Sequence, residues 1–217
     1  MLELGTKFLL SYFLGSIMGS TIVGRLRGGV DIRTMGSGNA GSTNALRTQG
    51  WVFAIGVMVV DLGKGAVAAG FIPGLSLPYI PEDPELSRTW LALCCAGAAV
   101  TGHVWPIGQH FKGGKGAATL VGTLTVLAPG VIFPIFLVWA WILTLFGYVG
   151  LATIAAGVAA PLYLIITLFP DDQPLIIYML TLAVFMIFTH RSNIQRMKAG
   201  TEHRNTRLML FRRSQSK

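Results

Sequence analysis

Apolar stretches at residues 4–23, 51–72, 90–104 and 175–189, with a longer block at 117–169, dominate this chain. A hydrocarbon core about 30 Å thick needs roughly 20 apolar residues per helix. Charged residues supply only 12% of the chain and hydrophobic ones 53%, with mean hydropathy +0.62, whereas soluble domains carry about 25% charge. The expected fold is therefore an all-α integral membrane protein, one polytopic domain over residues 1–217. Glu3 precedes Lys7 at the start, so no cationic leader is expected, and residues 4–23 are expected as one retained helix. Cys94 and Cys95, adjacent in an apolar segment, are expected to pack and not to form a disulfide framework.

Charge placement sets the expected topology. A net charge of +8 could suggest nucleic acid, but there is no aromatic-basic interleaving of the kind that grips single strands. The basic residues instead flank apolar spans. Arg25, Arg27, Arg33 and Arg47 follow the first span, and Lys112 and Lys115 follow the third. Arg191, Arg196, Lys198, Arg204, Arg207, Arg212, Arg213 and Lys217 follow the last. These fourteen of the 17 Lys and Arg mark three cytoplasmic segments that can also meet anionic lipid headgroups. Glu82, Asp83, Glu85, Asp171 and Asp172 lie in loops nearly free of Lys and Arg. The block at 117–169, broken at Pro129-Gly130 and at 147–150, then has to cross an odd number of times. Three crossings give seven transmembrane helices with the N-terminus periplasmic and the C-terminus cytoplasmic; merging the block into one span gives five.

Three polar segments fall on the face so defined: residues 33–47, 102–119 and 190–202. In the first, Gly36, Gly38 and Gly41 match G-x-G-x-x-G, but no strand precedes them, which excludes a dinucleotide fold. Glycines still allow backbone N–H groups to turn inward. Ser42, Thr43 or Asn44 can cap a following helix, whose N-terminus would attract an anion, and Ser37, Asn39 and Arg47 add donors. In the second, Gly113, Gly114 and Gly116 surround Lys115 where a helix should begin, without P-loop spacing; Lys115 is a point charge for a phosphate. In the third, His190 and Asn193 share a helix face, and Glu202 is a partner for an arginine. Asp61 and Lys64, three apart within a span, are expected to neutralise each other. No His/Cys/Asp/Glu group has metal-ligand spacing, so neither metal nor cofactor is expected. An anion transporter suits glycine-broken helices and an intramembrane ion pair, but the donors gather at one face and no inverted repeat is visible.

Together the segments resemble the bacterial acyl-phosphate:glycerol-3-phosphate acyltransferases, the PlsY family. The residues that carry the resemblance are Gly36-Ser37-Gly38-Asn39-Ala40-Gly41-Ser42-Thr43-Asn44, then Gly102-His103-Val104-Trp105-Pro106 with Phe111-Lys112-Gly113-Gly114-Lys115-Gly116, then His190-Arg191-Ser192-Asn193-Ile194-Gln195-Arg196. Trp105 and Ser42 depart mildly from the family's usual Phe and Ala. The resemblance implies a multi-pass enzyme of the bacterial inner membrane that moves an acyl group from acyl phosphate to glycerol 3-phosphate, downstream of an acyl-phosphate-forming enzyme. It implies Ser37, Arg47, Lys115, His190 and Asn193 as catalytic residues. Gly36, Gly38, Asn39, Gly41, Ser42, Thr43, Asn44, His103, Gly113, Gly114 and Gly116 are implied as substrate-binding. None of the four histidines has Asp five positions on, so the His-x4-Asp of acyl-CoA-dependent enzymes is missing. Direct transfer, with the donor's phosphate oxygen taking the hydroxyl proton, is the expected mechanism; His190 as general base is the alternative. A Ser37 acyl-enzyme is disfavoured, because the sequence supplies Ser37 with no activating partner.

Overall fold

Glycine sets how closely the helices approach in the computed structural model of the chain, which describes residues 1–210. The chain divides into two compact units, one of Met1–Pro129 and one from Gly130 onward. The first unit contains α1 (Leu2–Gly15), α2 (Gly19–Leu26), α3 (Ser42–Gln49), α4 (Trp51–Gly70), α5 (Arg88–Val104) and α6 (Ala117–Leu127). The second contains α7 (Pro129–Phe146, starting at the boundary), α8 (Val149–Leu168), α9 (Gln173–Thr189) and α10 (Arg191–Lys198). No strand forms among the described residues.

In lipid, helices associate mainly through close packing, so small residues at crossings matter. A Cβ on Gly15 would stand 2.2 Å from the Ala99 carbonyl, and one on Gly102 would stand 2.2 Å from that of Tyr12, so α1 and α5 touch backbone to backbone. Likewise α4 and α6 meet through Gly65 against Thr119 and Gly122 against Leu62. Ala68, Ile72, Leu91, Cys95 and Ala99 fill one core cluster and Ile32, Ala45, Phe53, Ala54 and Val57 another. Cys95 is thus a packing residue, as its neighbours in sequence suggested, and both cysteines are free.

Among the described residues, four helical stretches are long and apolar enough to cross a membrane, or six if each of two bent pairs is a single span. The bent pairs are α1 with α2, at 41°, and α9 with α10, at 49°. Breaks at Ala128, just before Pro129-Gly130, and at Gly147-Tyr148 divide the 117–169 block into α6, α7 and α8, close to where the sequence placed them. The count of seven depends on α6, whose 11 residues extend only about 16 Å. Arg212, Arg213 and Lys217, used above to assign the last cytoplasmic segment, lie outside the described residues.

The single helix expected at 4–23 is corrected. It breaks between Gly15 and Gly19 because the freed backbone groups find partners on α4. Lys64 Nζ donates to the Ile17 carbonyl at 2.7 Å, and the Gly19 amide donates to Asp61 Oδ1 at 3.2 Å. Near the start of α1, Lys7 Nζ donates to Glu3 Oε1 (2.7 Å) and to the Pro73 carbonyl (2.7 Å), while Arg88 Nη1 donates to the same carboxylate (2.6 Å). Glu3 and Lys7 are both buried, so this network fastens α1 to α5.

Candidate active site

The first polar segment is a loop wound around one side chain. Asn44, buried at the start of α3, accepts from the Ser37 amide at 3.0 Å through Oδ1. Its Nδ2 lies 2.8, 3.0 and 2.9 Å from the carbonyls of Ile32, Met35 and Asn39, and shares its two protons among them. Gly36 takes φ +59°, and a Cβ there would lie 2.4 Å from Asn44 Oδ1, so no other residue fits without moving the loop. Gly38 also takes a left-handed φ, +71°.

Several amides of this loop are therefore already engaged. That of Ser37 serves Asn44, that of Gly38 the Met35 carbonyl (3.0 Å), and that of Gly41 the Asn39 Oδ1 (2.9 Å). Gly41 is the N-cap of α3 and no side chain caps it, which corrects the capping expected from Ser42, Thr43 or Asn44. Helix geometry leaves the amides of the first turn, including Ser42 and Thr43, outside the intrahelical ladder. The Ser37 side chain is exposed on the loop, Asn39 is partly buried, and Arg47 is exposed in the last turn of α3.

The glycine-rich segment folds back onto the end of α5. The Gly113 amide donates to the Val104 carbonyl and the Gly114 amide to that of His103, both at 3.1 Å. These two amides close the carbonyls that α5 leaves open at its C-terminus. A Cβ on Gly113 would lie 2.1 Å from the His103 carbonyl, and one on Gly114 2.0 Å from His103 Nε2. His103 is thus buried beneath the loop. Gly116, at φ +87°, is the N-cap of α6, so Lys115 stands one residue ahead of a helix N-terminus, as the sequence suggested. Upstream, His110 and Phe111 both take positive φ, 52° and 57°, a left-handed pair that is costly for residues with side chains.

The two loops of the first unit are tied together. Arg33 pairs with Asp31 through Nη2 and Oδ2 at 2.7 Å, and its Nη1 donates to Gln109 Oε1 in the second loop. The Arg33 guanidinium holds the Asp31 carboxyl below the usual carboxylate range. In sequence Arg33 is one of the basic residues that set the topology, and Gln109 merely falls within the 102–119 segment. Nothing in their spacing, 76 residues apart, announces the contact.

In the second unit α9 ends at Thr189, where the last apolar stretch was expected to end, and His190 caps both α9 and α10, so the helix face expected to carry His190 and Asn193 is interrupted at His190. His190 Nδ1 lies 2.9 Å from the Met186 carbonyl, which can only accept, so Nδ1 carries the proton and Nε2 is the basic nitrogen. Asn193 Nδ2 donates to Glu202 Oε1 at 2.8 Å, and Arg196 Nε to Glu202 Oε2 at 2.6 Å. The arginine expected for Glu202 is therefore Arg196, and Asn193 shares the same carboxylate. Gly150 at the start of α8 permits this: a Cβ there would lie 2.7 Å from Asn193 Nδ2. Asp61 and Lys64 form the expected pair at 3.0 Å.

The glycerol-3-phosphate acyltransferase family model matches residues 6–200. Glycerol-3-phosphate acyltransferases from Chlorobium phaeovibrioides and Chlorobaculum tepidum are 37% and 36% identical to this chain. The alignments cover 95% and 90% of the chain and 98% and 94% of those proteins. Crystal structures of PlsY (YgiH), an integral membrane glycerol 3-phosphate acyltransferase, in its glycerol 3-phosphate and lysophosphatidic acid forms, share the fold. Each has a TM-score of 0.76 at 32% identity, over 93% of this chain and 94% of that one. With the two tethered loops and the apolar helices that carry them, these matches establish that the chain belongs to the family of membrane-embedded glycerol-3-phosphate acyltransferases.

Proposed function

We propose that this protein transfers a fatty acyl group from acyl phosphate to the sn-1 hydroxyl of glycerol 3-phosphate, releasing lysophosphatidic acid and inorganic phosphate. The observation that carries this reading is the pair of glycine-rich loops in the first unit, tethered by Arg33 and Gln109 and each leading into a helix N-terminus. Two loops suit two phosphorylated substrates, and the related PlsY structures are a glycerol 3-phosphate form and a lysophosphatidic acid form. The Ser37 hydroxyl and the first-turn amides of α3 would hold the acyl phosphate, while Arg47 and Lys115 orient glycerol 3-phosphate. From the second unit, His190 and Asn193 follow from the motif resemblance alone.

Acyl phosphate is a mixed anhydride, so the donor itself supplies the activation. The acceptor oxygen attacks the acyl carbon, the bond from that carbon to the phosphate oxygen breaks, and the leaving phosphate takes the hydroxyl proton. Proximity and charge stabilisation then supply most of the acceleration. His190 Nε2 as base is the second reading, favoured by the Nδ1–H bond to Met186 that makes Nε2 the basic nitrogen. His190→Gln retaining appreciable turnover supports the first reading, and a loss beyond ~10⁴-fold supports the second. The setting proposed is the bacterial inner membrane, with seven spans, the N-terminus periplasmic and the C-terminus cytoplasmic, fed by an acyl-phosphate-forming enzyme. The test is purified protein with labelled glycerol 3-phosphate and either palmitoyl phosphate or palmitoyl-CoA, EDTA present. Lysophosphatidic acid from palmitoyl phosphate alone is expected; product from palmitoyl-CoA alone would refute the donor assignment.

A further inference from the structure

Three ionisable side chains lie buried in the first unit behind the loops, and the reaction just described uses none of them. Asp61 and Lys64 are paired at 3.0 Å, with side chains 1% and 3% exposed. Charges at such positions are costly in a membrane and tend to be kept for a function. His103 Nδ1 stands 3.5 Å from Asp61 Oδ1, an ion-pair distance but too long for a hydrogen bond. The other edge of the same imidazole, Nε2, lies against Gly114. Asp61 Oδ2 and Thr119 Oγ1, the latter in the first turn of α6, are buried polar atoms without a hydrogen-bond partner among the described residues.

These contacts connect two features of the fold that are remote in sequence. At one end, Asp61 and Lys64 take up the backbone groups exposed where α1 breaks from α2. At the other, His103 is the floor on which Gly114 rests, one residue before Lys115. We infer that Asp61, Lys64 and His103 are a buried positioning set that fixes the height of the glycine loop above α5 and so the placement of Lys115 toward the acceptor phosphate. The inference rests on the proposed role of Lys115 in binding glycerol 3-phosphate. It makes the three residues specificity-determining for the acceptor and neutral toward the donor, although none of them touches either substrate. His103 accordingly supports the loop and is not a ligand contact.

The test is a split of Michaelis constants on purified protein, with palmitoyl phosphate as donor. Gly114→Ala adds one methyl where 2.0 Å separates it from His103 Nε2, so the loop has to lift. Displacement of a binding group by about 1 Å can cost on the order of 10²-fold. A KM for glycerol 3-phosphate raised roughly tenfold or more is expected, with the KM for palmitoyl phosphate unchanged and kcat within about threefold. Adding His103→Ala removes the ring and should return most of the lost affinity. Both KM values moving together, or losses that multiply in the double variant, would overturn the inference. Asp61→Asn, which keeps an acceptor for the Gly19 amide, is an independent arm should the loop variants fail to fold. A selective rise in the acceptor KM supports the positioning role, and a fall in kcat with both KM values unchanged refutes it. Lys115→Ala separates the two layers. An unchanged acceptor KM there refutes the Lys115 reading and this inference with it, whereas a raised one beside an unaffected Gly114→Ala refutes the positioning role alone.

Discussion

Replacement of Glu202 should disorganise the segment that presents His190 and Asn193. The Glu202 side chain is 3% exposed and receives Asn193 Nδ2 at 2.8 Å and Arg196 Nε at 2.6 Å. A hydrogen bond to a charged group is worth about 1.5–3 kcal/mol, so Glu202→Ala loses that much at Asn193. The Arg196 side chain is 35% exposed, and solvent screening reduces its share to at most about 1 kcal/mol. The sum, about 2–4 kcal/mol, corresponds to a melting temperature lowered by on the order of 5–10 °C. Glu202→Gln keeps an acceptor for Asn193 and loses mainly the charge, so it should cost about half as much. If Asn193 contributes to the reaction, Glu202→Ala should also cut kcat on the order of 10²-fold through misplacement, with Glu202→Gln in between. Thermal unfolding in detergent and steady-state kinetics on the same preparations read both quantities. Alanine and glutamine variants with equal stability and turnover within about twofold of the parent would refute the reasoning.

At the α4–α6 crossing, Gly65→Val and Gly122→Val should each cost about 1–3 kcal/mol or more by overpacking. Gly63→Ala, which has nothing within 4 Å, should be neutral or stabilising by up to about 1 kcal/mol; melting curves distinguish them. Glu3→Gln should cost about 3–5 kcal/mol by stranding the buried Lys7, and Glu3→Gln with Lys7→Met should recover most of it. The depressed carboxyl of Asp31 contributes stability that is present above the ordinary Asp value of about 3.9 and is lost as pH falls through its lower folded value. Asp31→Asn should therefore flatten the acid limb of the stability profile below about pH 4. At neutral pH it should change stability by less than about 1 kcal/mol, since this pair is substantially exposed.

Features set by neighbours along the chain were legible before the structure. Pro129, which opens α7, and Gly147, which follows it, divide the long apolar block because the local backbone demands it, and Gly116 caps the start of α6 for the same reason. The Asp61–Lys64 and Arg196–Glu202 pairs follow from helical spacing or short reach. The break at 15–19 was not legible, because the groups that satisfy it, Asp61 and Lys64, lie 42 and 47 residues away. The kink at His190 stayed hidden for a related reason. Its side chain bonds the Met186 carbonyl, a choice of local partner that hydrophobic periodicity does not register. In the loops, residue types were readable but their assignments were not. Glycine patterns suggested amides turned toward a ligand, whereas those of Ser37, Gly38, Gly113 and Gly114 are engaged in building the loops themselves. The first turns of α3 and α6 still carry amides that no intrahelical bond uses.

The most direct test of the proposed reaction is a count of inorganic phosphate released against lysophosphatidic acid formed, from palmitoyl phosphate with EDTA, with and without glycerol 3-phosphate. Direct transfer predicts equal amounts of the two products when the acceptor is present and no phosphate burst when it is absent. A phosphate burst equal to the enzyme concentration without acceptor, with acyl label retained on the protein, would contradict it.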